Sequence, residues 1–228
     1  MKEDKSNSKT PFQNEQEDVI ILFCYISDFP RLVRIQKENI FYTLQSLYNC
    51  IDKLCEKHGI QKVEVIFFFQ NIFIISFFKT VGNNYVACTG IKAYDGNLKQ
   101  VFMKDKCERM IDLAFDLIDE VSSRTYGRDE ENEVLKVQVG IHGGKVISDI
   151  IGFHKVQFSL FGDPVNTTSR IASNARECTV TISEQVYQKM KTHSEFKFED
   201  YQIDVEPFFF NIDFLQFLCL AGRGFIII

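Results

Sequence analysis

Apolar positions switch between two periods along the chain. Residues 19–25 (VIILFCY) form an unbroken apolar run, the pattern of a strand buried on both faces. After Pro30, apolar residues recur at Ile40, Phe41, Leu44, Leu47, Tyr48, Ile51, Leu54 and Cys55. That i, i+3, i+4 stripe predicts an amphipathic helix ending near His58-Gly59. Strand-like runs follow at 63–69, 72–78 and 85–89, and helical period returns over 101–121 through Cys107, Met110, Ile111, Ala114, Leu117 and Ile118. Residues 126–133 read as a charged loop.

From residue 139 a β-branched run meets a predicted corner at Gly143-Gly144 and resumes over 146–151; a third short run, 156–161, stops at Gly162-Asp163. Pro164 suits a first helical turn, and Asn166, Thr167, Ser169 and Arg170 continue that helix. A short strand at 179–182, a helix opening at Ser183-Glu184 and terminal strands over 196–228 complete the reading, with no internal repeats. The order β-α-β-β-α-β predicts an α+β fold. Its plan is a ferredoxin-like βαββαβ core, with an antiparallel sheet, helices on one face and extra C-terminal strands.

Composition narrows the class. At 228 residues, 45% hydrophobic and 25% charged, the chain has enough apolar material for one sizeable core. A net charge of −5 argues against a dedicated nucleic-acid surface. Seven cysteines are scattered without a CxxC pair or zinc spacing, so they read as buried thiols of a reducing compartment. Residues 1–18 are polar and charged and read as a disordered leader or linker; residues 19–228 form the domain. The run at 65–78 is too short to span a bilayer, and 207–228 carries Asp213, Gln216 and Arg223, so no membrane span is expected.

Gly140-Ile141-His142-Gly143-Gly144, followed by Phe161-Gly162-Asp163-Pro164-Val165-Asn166-Thr167-Thr168-Ser169-Arg170, resembles the signature of class III nucleotidyl cyclase catalytic domains. The resemblance implies attack of a ribose 3′-OH on an α-phosphate with loss of pyrophosphate, assisted by two Mg²⁺ or Mn²⁺ ions. Family members hold those ions with two aspartates. The matching positions here are Tyr25 and Asn83, a phenol and an amide, both poor ligands for such ions; Asp28 lies three residues beyond the first. No metal site is therefore expected on this chain. By resemblance, Asn166 orients the ribose and Arg170 stabilises charge growing on the α-phosphate, a task that suits the planar guanidinium fork.

Lost metal positions beside a retained Asn/Arg pair resemble the purine-binding half of two-half cyclases, in which two homologous domains pack head to tail. The resemblance implies a metal-bearing partner half, GTP or ATP as substrate, and a cytoplasmic domain of a membrane-anchored parent. Guanine offers two donors to a carboxylate and an O6 acceptor, whereas adenine calls for a lysine and an oxygen acceptor. Glu64 and Ser159 fall at the family's purine positions and favour guanine. Lys79 would take the first position, and favour adenine, if the chain is matched contiguously. Deleting residues 65–79 leaves K-V-E-T-V-G-N-N-Y, an uninterrupted family match, so this segment reads as a non-family insertion or a translated intron. Arg223, in Gly222-Arg223-Gly224, corresponds weakly to a family lysine that contacts terminal phosphates.

Overall fold

The computed structural model describes residues 14–65, 83–91, 104–126, 133–151, 157–201 and 216–221. Eleven strands are present among them: β1 Asn14–Ile26, β2 Gln61–Lys62, β3 Glu64–Val65, β4 Asn84–Thr89, β5 Thr125–Tyr126, β6 Glu133–Val134, β7 Val137–Ile151, β8 Gln157–Phe161, β9 Val180–Ser183, β10 Phe196–Tyr201 and β11 Gln216–Ala221. The α-helices, renumbered in chain order, are α1 Phe29–Gln36, α2 Ile40–His58, α3 Lys106–Ser122, α4 Asp163–Ser173 and α5 Glu184–Met190.

Strands β7, β1, β4 and β2 lie side by side in that order, each antiparallel to its neighbour. With α2 and α3 as crossovers, this is the ferredoxin-like core expected from the order of elements. Beyond β7 the sheet continues through β9, β11 and β10, with β9 parallel to β7. At the other end, Val63 steps the chain from β2 to β3, and β3 pairs in parallel with β8, itself hairpinned to β7. The sheet thus curls until its edge meets β8, the strand hairpinned to the far half of β7.

β1 explains why the opening apolar run does not alternate. Ile20, Leu22, Cys24 and Ile26 pack under α2 and α3, against Leu47, Ile51, Met110 and Leu117. Val19, Ile21 and Phe23 face the opposite layer with Val146, Leu160, Val165 and Ala172. Both faces are covered, so every position is apolar. Truncating Leu47, which is 1% exposed, should cost about 2–5 kcal/mol.

Four expectations are corrected. First, β1 begins at Asn14, so 14–18 is strand and not leader. Gln16 is buried and its amide donates to Ser148 Oγ, while Glu15 and Glu17 reach Lys145; a register shift between Gln16 and Val19 absorbs the irregularity. Second, Gly143-Gly144 is no corner, because β7 runs unbroken through it for 15 residues. Third, α4, which follows the ferredoxin-like core, lies on the face opposite α2 and α3, so the expectation of helices on one face holds for the core helices and not for α4. Fourth, the helix expected over 101–121 starts at Lys106, where Asp105 caps it by accepting from the Cys107 amide. The expected strand at 72–78 lies outside the described residues, and the ends of the charged loop pair as β5 and β6.

Candidate functional site

The site is built on α4. Gly162, at φ +140°, turns the chain out of β8, and Pro164 occupies the first turn. Val165, Thr167, Thr168, Ile171 and Ala172 are buried, and the Thr168 hydroxyl donates back to Pro164 O. Two glycines of β7 set how closely the helix sits. A Cβ on Gly140 would stand 2.4 Å from Ala172 N, and one on Gly144 would stand 2.6 Å from Pro164 Cγ. The Gly143-Gly144 pair that reads as a turn is therefore, at Gly144, a place where a helix presses on a strand.

Asn166 and Arg170 emerge from the outer face of α4, one turn apart and both exposed. Among the described residues no carboxylate pairs with the Arg170 guanidinium. Asn174 Nδ2 donates to Arg170 O and closes the last turn. The two residues expected to handle ribose and α-phosphate are brought together and left open.

Across from them, the expected metal positions are also brought together, but as a neutral row. Tyr25 on β1 stands in register with Asn84 on β4 and with Gln138 on β7. Asn83 is one residue away, and its carbonyl accepts from Ile26 N at 2.7 Å. The Tyr25 hydroxyl lies 2.7 Å from Ser169 Oγ on α4. Burial raises the Tyr25 pKa, and the hydrogen bond with Ser169 opposes that only in part, so the phenol stays protonated near neutral pH. A neutral phenol already engaged by a hydroxyl, beside an amide, is no donor set for Mg²⁺ or Mn²⁺. Among the described residues no cluster of His, Cys, Asp or Glu could hold such an ion. Asp28 sits past the end of β1, before α1, at φ +44°, outside this row.

Glu64 and Ser159, more than ninety residues apart in sequence, are register partners across β3 and β8. Ser159 is fully buried, and its Oγ has no hydrogen-bond partner among the described residues. An orphaned buried hydroxyl costs about 1–3 kcal/mol, which a ligand group could recover. Lys79 and Arg223 lie outside the described residues.

Three contributors were given no role by the sequence reading, although Ser169 and His142 lie within its motifs. Ser169 and Gln138 reach across the layers, and no local pattern announces such contacts. His142 is the third. It lies between Gly140 and Gly144 on the strand face that α4 covers, is 7% exposed, and its Nδ1 has no partner among the described residues. Burial pushes its pKa down to about 4, with Asp163 opposing weakly.

The adenylate and guanylate cyclase catalytic domain family matches residues 12–67 and 70–206, most of the chain. The chain belongs to that family. Its cyclase relatives include a membrane guanylyl cyclase of Dictyostelium discoideum, 28% identical over 81% of this chain and 10% of its own length. Guanylate cyclase beta of Plasmodium falciparum is 27% identical over 82% of this chain and 6% of its own. A germination-specific adenylate cyclase of D. discoideum is 29% identical over 83% and 20%. The chain thus spans a fifth or less of these relatives.

Solved cyclase structures share the fold. The catalytic core of a rhodopsin-guanylyl cyclase with converted specificity, in complex with ATPαS, superposes with a TM-score of 0.69 at 22% identity, covering 92% of this chain and 98% of that one. The adenylyl cyclase CyaB of P. aeruginosa gives 0.70 at 17% identity, covering 92% and 97%. Between residues 12 and 206 the family match omits only 68–69, so the rest of segment 65–79 lies within it. No helix among the described residues is long and apolar enough to cross a membrane.

Proposed function

We propose that this chain is the nucleotide-reading half of a two-half guanylate cyclase, converting GTP to cyclic GMP and pyrophosphate only when packed against a metal-bearing half. The observation that carries the reading is the contrast within one site. The side chains of Asn166 and Arg170 stand exposed on α4 and engage no other side chain among the described residues, while the row at the metal positions is neutral and hydrogen-bonded to α4 through Tyr25. Arg170 would take the charge that develops on the α-phosphate oxygens as the 3′-oxygen attacks and pyrophosphate departs. Asn166 would hold the ribose so that the hydroxyl lies in line. Mg²⁺ or Mn²⁺ would be bound by the partner half and not by this chain.

The register of Glu64 with Ser159 supports guanine as the base. A carboxylate there accepts from N1–H and N2–H₂, and the orphaned Ser159 hydroxyl donates to O6. Phosphate contact by Arg223 remains part of the proposal. The names of the relatives fit a cytoplasmic domain within a longer, membrane-anchored protein.

The test mixes this chain with a cyclase half that carries both aspartates but has its own Asn and Arg replaced, and measures cyclic GMP and cyclic AMP with Mn²⁺. Cyclic GMP from the mixture alone supports the reading. Cyclic AMP as the main product moves the base contact to adenine and points to Lys79. Absence of both products identifies a non-catalytic, nucleotide-binding or regulatory domain.

A further inference from the structure

We infer that Tyr25 is a positioning residue: at the place where a metal-holding carboxylate would stand, its phenol braces α4 through Ser169 and fixes Asn166 and Arg170. The inference rests on the proposed cyclase role. Ser169 directly precedes Arg170 and follows Asn166 by three residues, so a tether at Ser169 acts within one turn of both. The tether is short, at 2.7 Å, and joins residues 144 apart in sequence.

The rest of the row is hydrogen-bonded as well, Gln138 beside α4 and Asn84 to α2. Gln138, register partner of Tyr25, donates from Nε2 to Ala175 O at 2.6 Å, just past the end of α4. Asn84, the partner on the other side, offers its carbonyl to Tyr48 of α2 at 3.4 Å. Tyr25 also stacks on Phe23, with ring centroids 6.1 Å apart and planes at 27°. Phe23 belongs to the apolar layer that holds Val165 and Ala172 of α4.

The helix is thus set in height by Gly140 and Gly144 and fixed laterally by Tyr25 and Gln138. The hydroxyl, and not the ring, is the working group, because it alone reaches Ser169. Phenylalanine keeps the ring and its stacking and loses only the tether.

The experiment compares Tyr25→Phe, Ser169→Ala and the double variant of the full chain in two measurements. Backbone hydrogen exchange on the chain alone should show residues 166–174 exchanging about five- to tenfold faster in each variant, with the β1–β7 ladder unchanged. In the mixture with the metal-bearing half, kcat should fall about tenfold while KM for the nucleotide stays within about twofold, since a displaced Arg170 weakens transition-state contacts. The double variant should match either single one, because one bond is lost in each case. Unchanged exchange in α4, a uniform rise across all elements, additive losses, or local loosening with unchanged kcat would each overturn the inference. If the unaltered mixture makes no product, the cyclase role falls, and the exchange measurement alone then decides whether Tyr25 braces α4.

Discussion

Two regions of the candidate site differ in how their polar groups are engaged. On the strand side, Asn84, Tyr25 and Gln138 form a neutral row whose polar groups are engaged by neighbouring helices and by one another's strands. On the helix side, Asn166 and Arg170 project outward, and the buried Ser159 hydroxyl has no partner among the described residues. Polar groups satisfied within the fold contribute to holding it, whereas those left open at a cost are candidates for ligand contacts. On the proposed function, the strand side builds the site and the helix side acts.

Breaking the acting side should have the largest effect. Arg170→Ala should lower kcat in the complemented mixture by about 10²–10³-fold, the loss expected for one transition-state donor, with little change in chain stability. Arg170→Lys should recover only a fraction, because an ammonium cannot form the bidentate fork. Steady-state kinetics check both, and an Arg170→Ala variant with unaltered kcat would place the charge stabilisation elsewhere.

Changing the base contact comes next. Glu64→Lys should move the GTP/ATP ratio of kcat/KM toward ATP by about tenfold or more, since the site would then present a donor to purine N1. An unmoved ratio excludes Glu64 as the base reader. Ser159→Ala should reduce GTP selectivity less, and it should leave stability unchanged or improved because an orphaned hydroxyl is removed.

His142 sharpens the comparison from the building side. In the unfolded chain its pKa is the ordinary 6.5, and in the fold it is lowered to about 4, so the buried ring is held neutral. Its contribution is fully present above pH 6.5. As pH falls the unfolded chain takes up a proton that the folded chain refuses, so stability drops from pH 6.5 down to about 4. Between pH 6.5 and 4.5 the loss should be about 2–3 kcal/mol. The lowered carboxyl pKa values of Asp18 and Asp116 act mainly below that window. Denaturant melts across the window should show the slope, and His142→Gln should flatten it.

How much of this could be read from the chain differs between the two regions. The helix face was legible because Asn166, Arg170 and the Gly162-Asp163-Pro164 entry form a local pattern of fixed types at fixed spacing. The ferredoxin-like order was legible because strand and helix periods alternate cleanly from 19 to 121. Tyr25 could be read only as the loss of a metal ligand, because its partner Ser169 is 144 residues away. Gly143-Gly144 was misread because a glycine pair marks a turn locally, whereas here the need comes from Pro164 pressing on Gly144. Residues 14–18 were misread because their charges suit a solvated tail. In the structure Glu15 and Glu17 point to Lys145 while Gln16 faces inward, which is strand alternation with charged outer positions.

The central claim, that this chain supplies nucleotide contacts and its partner the metals, is tested most directly by reciprocal complementation. This chain is mixed with one of two versions of a metal-bearing half: one lacking its Asn and Arg, the other lacking its two aspartates. Cyclic GMP should form with the first and not with the second. Product with the second version, or from this chain alone, would contradict the account, because it would require metal ligands that Tyr25 and Asn83 do not provide.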